Sequence, residues 1–251
     1  MIPLYARTRE TAVEIAGRHP EPSFYTDFAE ELAESREFFL TNPLVLRARE
    51  TVAQTVDNDL GHGLGHVTKV TLDAGALTLI EGRKAGYDGD VATRRLLLVQ
   101  LAGLFHDIRR KEKDHARAGA EEARLLLGTY PLSPAEIGDI CQAIANHEAF
   151  REPEPVNTVE GALISDSLYD ADKFRWGPDN FTDTVWHMVS FFNAPMSVFL
   201  DRYPQGIESL HRIRDSFRTS TGKRYGPEFI DIGIAIGEEL YGVLCEEYGK
   251  D

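Results

Sequence analysis

The chain has 251 residues, 42% of them hydrophobic, and a formal net charge of −14. That is apolar material enough for one large domain or two small ones, and the acidic balance argues against broad binding to nucleic acid or anionic membranes, which requires a basic face. Two cysteines, Cys141 and Cys245, form neither a disulfide framework nor a CxxC pair; the charged first ten residues lack a signal-peptide core, and no apolar run reaches the ~18 residues of a membrane span, so a soluble, cytoplasmic protein is the expectation.

Residues 1–19 read as a short amphipathic helix with Ala12, Val13, Ile15 and Ala16 on one side, ended by Pro20 and Pro22. Residues 23–39 read as a second helix, with Phe28, Leu32 and Phe39 near helical spacing, and residues 44–56 as a third after Asn42-Pro43. Core packing accounts for all three. Asp57-Asn58-Asp59 reads as a turn with a helix cap. The run from Gly61 to Val70 then places His62 and His66 four apart, on one face of any helix there. Three glycines around them weaken a helix. Either the helix starts late, with its body at residues 71–80, or backbone lies close to a ligand.

Residues 88–108 read as a central helix carrying the apolar run Leu96–Val99 and ending in His106-Asp107. A carboxylate at the end of so apolar a segment needs a cation or several donors, because an unpaired buried charge is very costly. Imidazole with carboxylate is half of a divalent-metal ligand set. Arg109 to Asp114 reads as a charged loop, able to aim a cation at a phosphate. Helices follow at 116–127 (Ala118, Ala123, Leu126, Leu127 inward), at 135–150 (Ile137, Ile140, Cys141, Ile144 inward, with His147 on the same stripe) and at 158–174 (Val159, Ala162, Leu163, Tyr169 inward). The last contains Asp166, Asp170 and Asp172. Residues two apart point roughly oppositely, so at most one of Asp170 and Asp172 faces a shared site. Residues 183–192, 196–203, 207–217 and 229–248 read as further helices. No strand-like alternation and no repeat is present. The expectation is an all-α single domain. His19, His187 and His211 lack partner patterns and read as surface or core residues. Trp176, Trp186 and Phe191-Phe192 read as packing, and Phe150, Tyr169 and Phe174 as unranked candidates for a pocket wall.

Five segments, in order, resemble the HD-domain superfamily of metal-dependent phosphohydrolases. Gly61 to Val70 is similar to that family's HxxxHxxRV opening, and Leu104-Phe105-His106-Asp107-Ile108 to its LLHDI centre. His115 to Ala120 resembles the HxxxGA step, Ile144 to His147 the later IxxH, and Asp170-Ala171-Asp172-Lys173 the closing DADK or ADR. The resemblance covers residues 57–176. It implies a single-domain helical bundle of the HD type: a core at 57–176, an N-terminal helical extension (1–56) packed on it, and C-terminal helices (177–251) completing it. It implies one divalent ion (Mn, Co, Ni, Fe, Mg or Zn) held by His66, His106, Asp107 and Asp172, with Asp172 preferred to Asp170. His115 and His147 would serve a second ion if two are bound, one being the simpler expectation. The implied activity is hydrolysis of a small phosphate ester or nucleotide, with Asp107, His115, His147 and Arg110 in catalysis and His62, Lys111 and Lys173 facing the substrate. Lys69 stands where the family has Arg, and Arg109-Arg110 where Gly-Lys is common, which leaves the substrate contacts open. The same six donors also resemble mixed-valent di-iron oxygenases of the myo-inositol oxygenase type, and a catalytically silent HD module is the third reading. No membrane or nucleic-acid partner is expected; homodimerisation is left open.

Overall fold

The structure, a computed structural model, describes residues 3–55 and 63–249; among them every regular element is helical. The all-α expectation holds. His62 and the Asp57-Asn58-Asp59 turn lie outside the described residues. Four helices surround the candidate site: α5 (Leu64–Lys84), α6 (Gly89–Phe105), α8 (Pro134–Ala145) and α9 (Val159–Phe174). α5 lies along α6, and α9 packs on α5, α6 and α8, with α7 (His115–Leu127) against α8. Residues 95–105 of α6 are buried on every side, as an apolar helix without a polar face must be. α5 and α6 approach closely at Gly103, where a Cβ would lie 2.9 Å from the Thr71 Cα.

The N-terminal helices pack onto this core: α3 (Ala29–Thr41) on α5, and α4 (Pro43–Thr55) on α6. α1 (Pro3–Ala16) lies against α12 (Ser220–Tyr248), which also packs on α11 (Met196–Arg214), α9 and α5. α2 (Phe24–Asp27) and α10 (Val185–Phe191) are short, and a wide π-type turn, Asn180–Thr184, leads into α10. No helix among the described residues is long and apolar enough to cross a membrane.

Several expected boundaries shift, each for a local reason. Residues 23–39 form two helices, because Phe28 (φ −121°, ψ 33°) leaves helical geometry between α2 and α3. Val13 is exposed, while Ala12 and Ile15 are buried. α5 starts at Leu64, so His66 sits in its first turn; a Cβ at Gly65 would meet nothing within 4 Å, so no close backbone approach occurs there. α8 ends at Ala145 and leaves His147 beyond it. Val159 faces solvent and Ala162 and Leu163 are half-buried, whereas Tyr169 is buried as expected, together with Ile164, Leu168 and Ala171. α11 runs through Pro204, so the segments expected at 196–203 and 207–217 form one helix ending at Arg214, and α12 runs through Pro227 and begins at Ser220, not residue 229.

Candidate metal centre

Two helix ends orient two imidazoles by the same device. His106 follows the last turn of α6, and its Nδ1–H donates to the Gly103 carbonyl at 2.7 Å. His147 follows α8, and its Nδ1–H donates to the Ile144 carbonyl at 2.6 Å. Each bond satisfies a carbonyl that the helix leaves open at its C-terminus, and each fixes the tautomer so that Nε2 keeps its lone pair. His66 enters from the first turn of α5, and His115 from the first residue of α7.

Asp107 stands between them, 2% exposed. Its Oδ2 lies 3.5 Å from His106 Nε2 and 3.8 Å from His66 Nε2. Its Oδ1 lies 3.5 Å from His147 Nε2 and 3.8 Å from His115 Nε2. One carboxylate therefore shows one oxygen to each pair of imidazoles. Asp172 joins the first pair: its Oδ1 is 3.3 Å from His66 Nε2 and 3.8 Å from His106 Nε2, while its Oδ2 accepts from the buried Lys173 Nζ at 2.5 Å. Asp170 points elsewhere. It accepts from the Arg218 and Thr219 amides, each at 2.8 Å, and from the Thr219 hydroxyl at 2.7 Å, and so caps the start of α12. A Cβ at Gly222 would collide with its carboxylate, so this contact requires glycine.

The donor set fits a divalent ion. His106 Nε2 is fully buried and has no hydrogen-bond partner, which is costly in a protein interior unless something else takes the lone pair. His66, His106 and Asp107 offer ligand atoms within 4.8 Å of one another, and so do Asp107, His115 and His147. Neutral imidazole and carboxylate suit a broad range of divalent metals.

The electrostatics keep these lone pairs available. Burial pushes the His106 pKa down to about 4. Burial, then the Arg110 guanidinium, pushes His115 down to about 3. Burial alone would raise the Asp172 carboxyl, but Lys173 and His66 beside it hold it well below the usual carboxylate range. Arg110 Nη1 donates to His115 Nε2 at 2.7 Å and lies 4.0 Å from Asp107 Oδ1.

The cluster forms one end of a cavity of about 660 Å³, a size suited to a small-molecule site. Arg110 and Lys173 line it; Lys111 is exposed and is not among the lining residues. Arg109 pairs on the surface with Glu122 at 2.9 Å, and Lys69 with Asp179 at 2.7 Å. Phe150 lines the cavity in a left-handed conformation (φ 63°), an uncommon choice for a bulky residue. Trp176 and Phe192 also line it, where the sequence suggested packing alone. Trp186 is fully buried in packing. Phe174 stacks on Phe229 with centroids 4.1 Å apart, and Tyr169 donates to the Ser216 hydroxyl; neither lines the cavity. His19 and His187 lie at the surface beside Glu239 and Asp183.

Sequence reasoning missed two features. Behind the site, Asp73 accepts from Arg175 and from the Tyr25 hydroxyl, and Arg175 also donates to Asp179. An acid within the apolar stretch of α5 carries the signal that singled out Asp107. The second is the cavity's apolar wall, supplied by residues 181–210, which carries no motif at all.

No family model matches the chain, and no curated protein matches it. A solved structure described as a predicted HD superfamily hydrolase from an uncultured Thermotogales bacterium is similar over 85% of this chain and 98% of its own, with 18% sequence identity and a TM-score of 0.49.

Proposed function

We propose that this chain is a metal-dependent phosphohydrolase with two divalent ions sharing Asp107. His66, His106, Asp107 and Asp172 would hold one, and Asp107, His115 and His147 the other. The single observation that carries this reading is the placement of the two Asp107 oxygens, each facing its own pair of imidazoles. It differs from the simpler one-ion expectation. When bound, such ions polarise phosphoryl oxygens and lower the pKa of water.

The chain's own residues do the rest. His106 and His147 are held as Nδ1–H tautomers by their carbonyl partners, so neither has to reorganise to offer Nε2. His147, expected among the catalytic residues, acts in this reading as a ligand. Lys173 neutralises Asp172 and keeps a cation at the cavity wall. His115 can act as a ligand only if Arg110 gives up its bond to Nε2. The planar guanidinium is then free to meet a phosphate, two of whose charged oxygens its fork of donors can bind. The test is phosphate release by the full chain with added Mn²⁺, Co²⁺, Ni²⁺ or Mg²⁺ over a panel of phosphate esters and nucleotides. Activity that survives in both His106→Ala and Asp107→Ala would remove the proposal.

The shared carboxylate also favours a second reading, a di-iron oxygenase. It requires iron at two per chain and oxygen uptake with substrate; iron-free protein indifferent to oxygen eliminates it.

A further inference from the structure

We infer that the ligand of this site is amphiphilic: a phosphate ester of an alcohol with an extended apolar group, and not a nucleotide. The inference rests on the phosphohydrolase reading for the reaction, but on a separate part of the cavity for the ligand's body. Beyond the charged end, the wall is built by Phe181, Val185, Phe199, Tyr203, Ile207 and Leu210. Two hydroxyls in this wall are already engaged within the protein. Tyr203 donates to the Gly237 carbonyl at 2.8 Å and so turns its ring to the cavity, and Ser209 donates to the Gln205 carbonyl at 3.0 Å. A base-recognising site needs fixed polar groups that match the base edge, since discrimination comes from buried donors and acceptors left unpaired by the wrong ligand. The lining also includes Asn180, Thr184 and the exposed Arg202, but most of this wall is aromatic or aliphatic and offers area for hydrophobic contact, which is non-directional.

The apolar path continues to the surface. Met188 and Phe192 line the cavity and are 39% and 67% exposed, and Phe191 beside them is 50% exposed. Contiguous exposed apolar side chains mark binding grooves more often than ordinary surface. With its phosphate at the His/Asp cluster, an apolar chain would run along α11 toward these residues. Hydrolysis of such an ester breaks the P–O bond to the alcohol oxygen and forms a P–O bond from water. One water proton goes to the leaving oxygen, giving the free alcohol and phosphate.

Binding and turnover are measured separately on the full chain. Calorimetry with methyl-, butyl-, hexyl- and octylphosphonate, with and without Mn²⁺, should show affinity rising by up to about four-fold per methylene, the equivalent of ~0.8 kcal/mol for each buried CH₂. Gly206→Leu provides the control in the cavity. Gly206 lines the cavity, a Cβ there would meet nothing within 4 Å, and leucine favours the helix, so the variant should fold. It should lower the octyl-to-butyl affinity ratio on the order of ten-fold, the contribution of about two methylenes. Affinity independent of chain length, or adenosine monophosphate bound more tightly than octylphosphonate, overturns the inference. If the phosphonates bind in the expected order but the matching alkyl phosphates release no phosphate, the amphiphilic ligand stands and the hydrolase reading falls.

Discussion

The two ends of the cavity are held in place by different forces. At the charged end, hydrogen bonds fix the imidazoles: the Gly103 and Ile144 carbonyls set the tautomers of His106 and His147, and Lys173 holds Asp172. At the other end the wall is shaped by packing, with Trp186, Phe199 and Tyr203 in a chain of ring contacts, and it opens to solvent at Met188 and Phe192. A directional site fails when one donor is removed, because the remaining groups keep the cost of burial without the partner. A packed wall responds in proportion to the area removed. Chemistry and selectivity should therefore separate along the cavity.

The largest effect should come from Asp107→Ala, which takes a carboxylate oxygen from both imidazole pairs. Phosphate release should fall by on the order of 10³-fold or more, whereas Phe199→Ala at the far end should alter chain-length preference and leave metal content intact. Near-equal losses from the two variants in a paired assay would erase the distinction between the ends. A sharper contrast lies within one helix. Asp172→Asn should lose metal, while Asp170→Asn should keep it and lose about 1–3 kcal/mol of stability, as expected for weakened charge-assisted bonds to the start of α12. Metal analysis beside denaturant melts separates the two outcomes, and metal loss in Asp170→Asn alone would reverse the assignment.

Arg110→Ala should be milder. Metal affinity should hold or improve, because His115 is relieved of its hydrogen bond. KM for phosphate esters should rise by about ten-fold or more, the loss of one charge-assisted contact. An unchanged KM would place the guanidinium outside substrate binding.

The gentlest test is acid. Unfolded histidine takes up a proton near its ordinary value of about 6.5, whereas His106 resists until about 4. The unfolded chain therefore binds more protons between those values, and the metal-free protein should lose stability as the pH falls through that window. His106→Gln should flatten the slope in thermal melts; greater stability at the acid end of the window in wild type would contradict the assignment.

At the charged end His106-Asp107 was legible in the sequence itself because its constraint is local, whereas the grouping of His66, His115, His147 and Asp172 with it came from the family resemblance. His106-Asp107 ends an apolar helix, where an acid needs a partner, and residues two apart in α9 had to part company. Asp170 and Asp172 do so, one toward α12 and one toward the cluster. The choice between one ion and two was not legible, because it depends on which carboxylate oxygen faces which ring. The apolar wall was hidden for a different reason. Phe181, Tyr203 and Leu210 follow the same spacing as core residues, and only the tertiary arrangement leaves space in front of them. The continuity of α11 and α12 was obscured by Pro204 and Pro227, which these helices accommodate.

The sharing of Asp107 by two ions is tested most directly by counting metal in the full chain after loading and desalting, in wild type and in Asp107→Ala. The account predicts about two ions per chain in wild type and less than one in the variant. A wild-type chain that retains none, or a single ion that persists in Asp107→Ala, would contradict it.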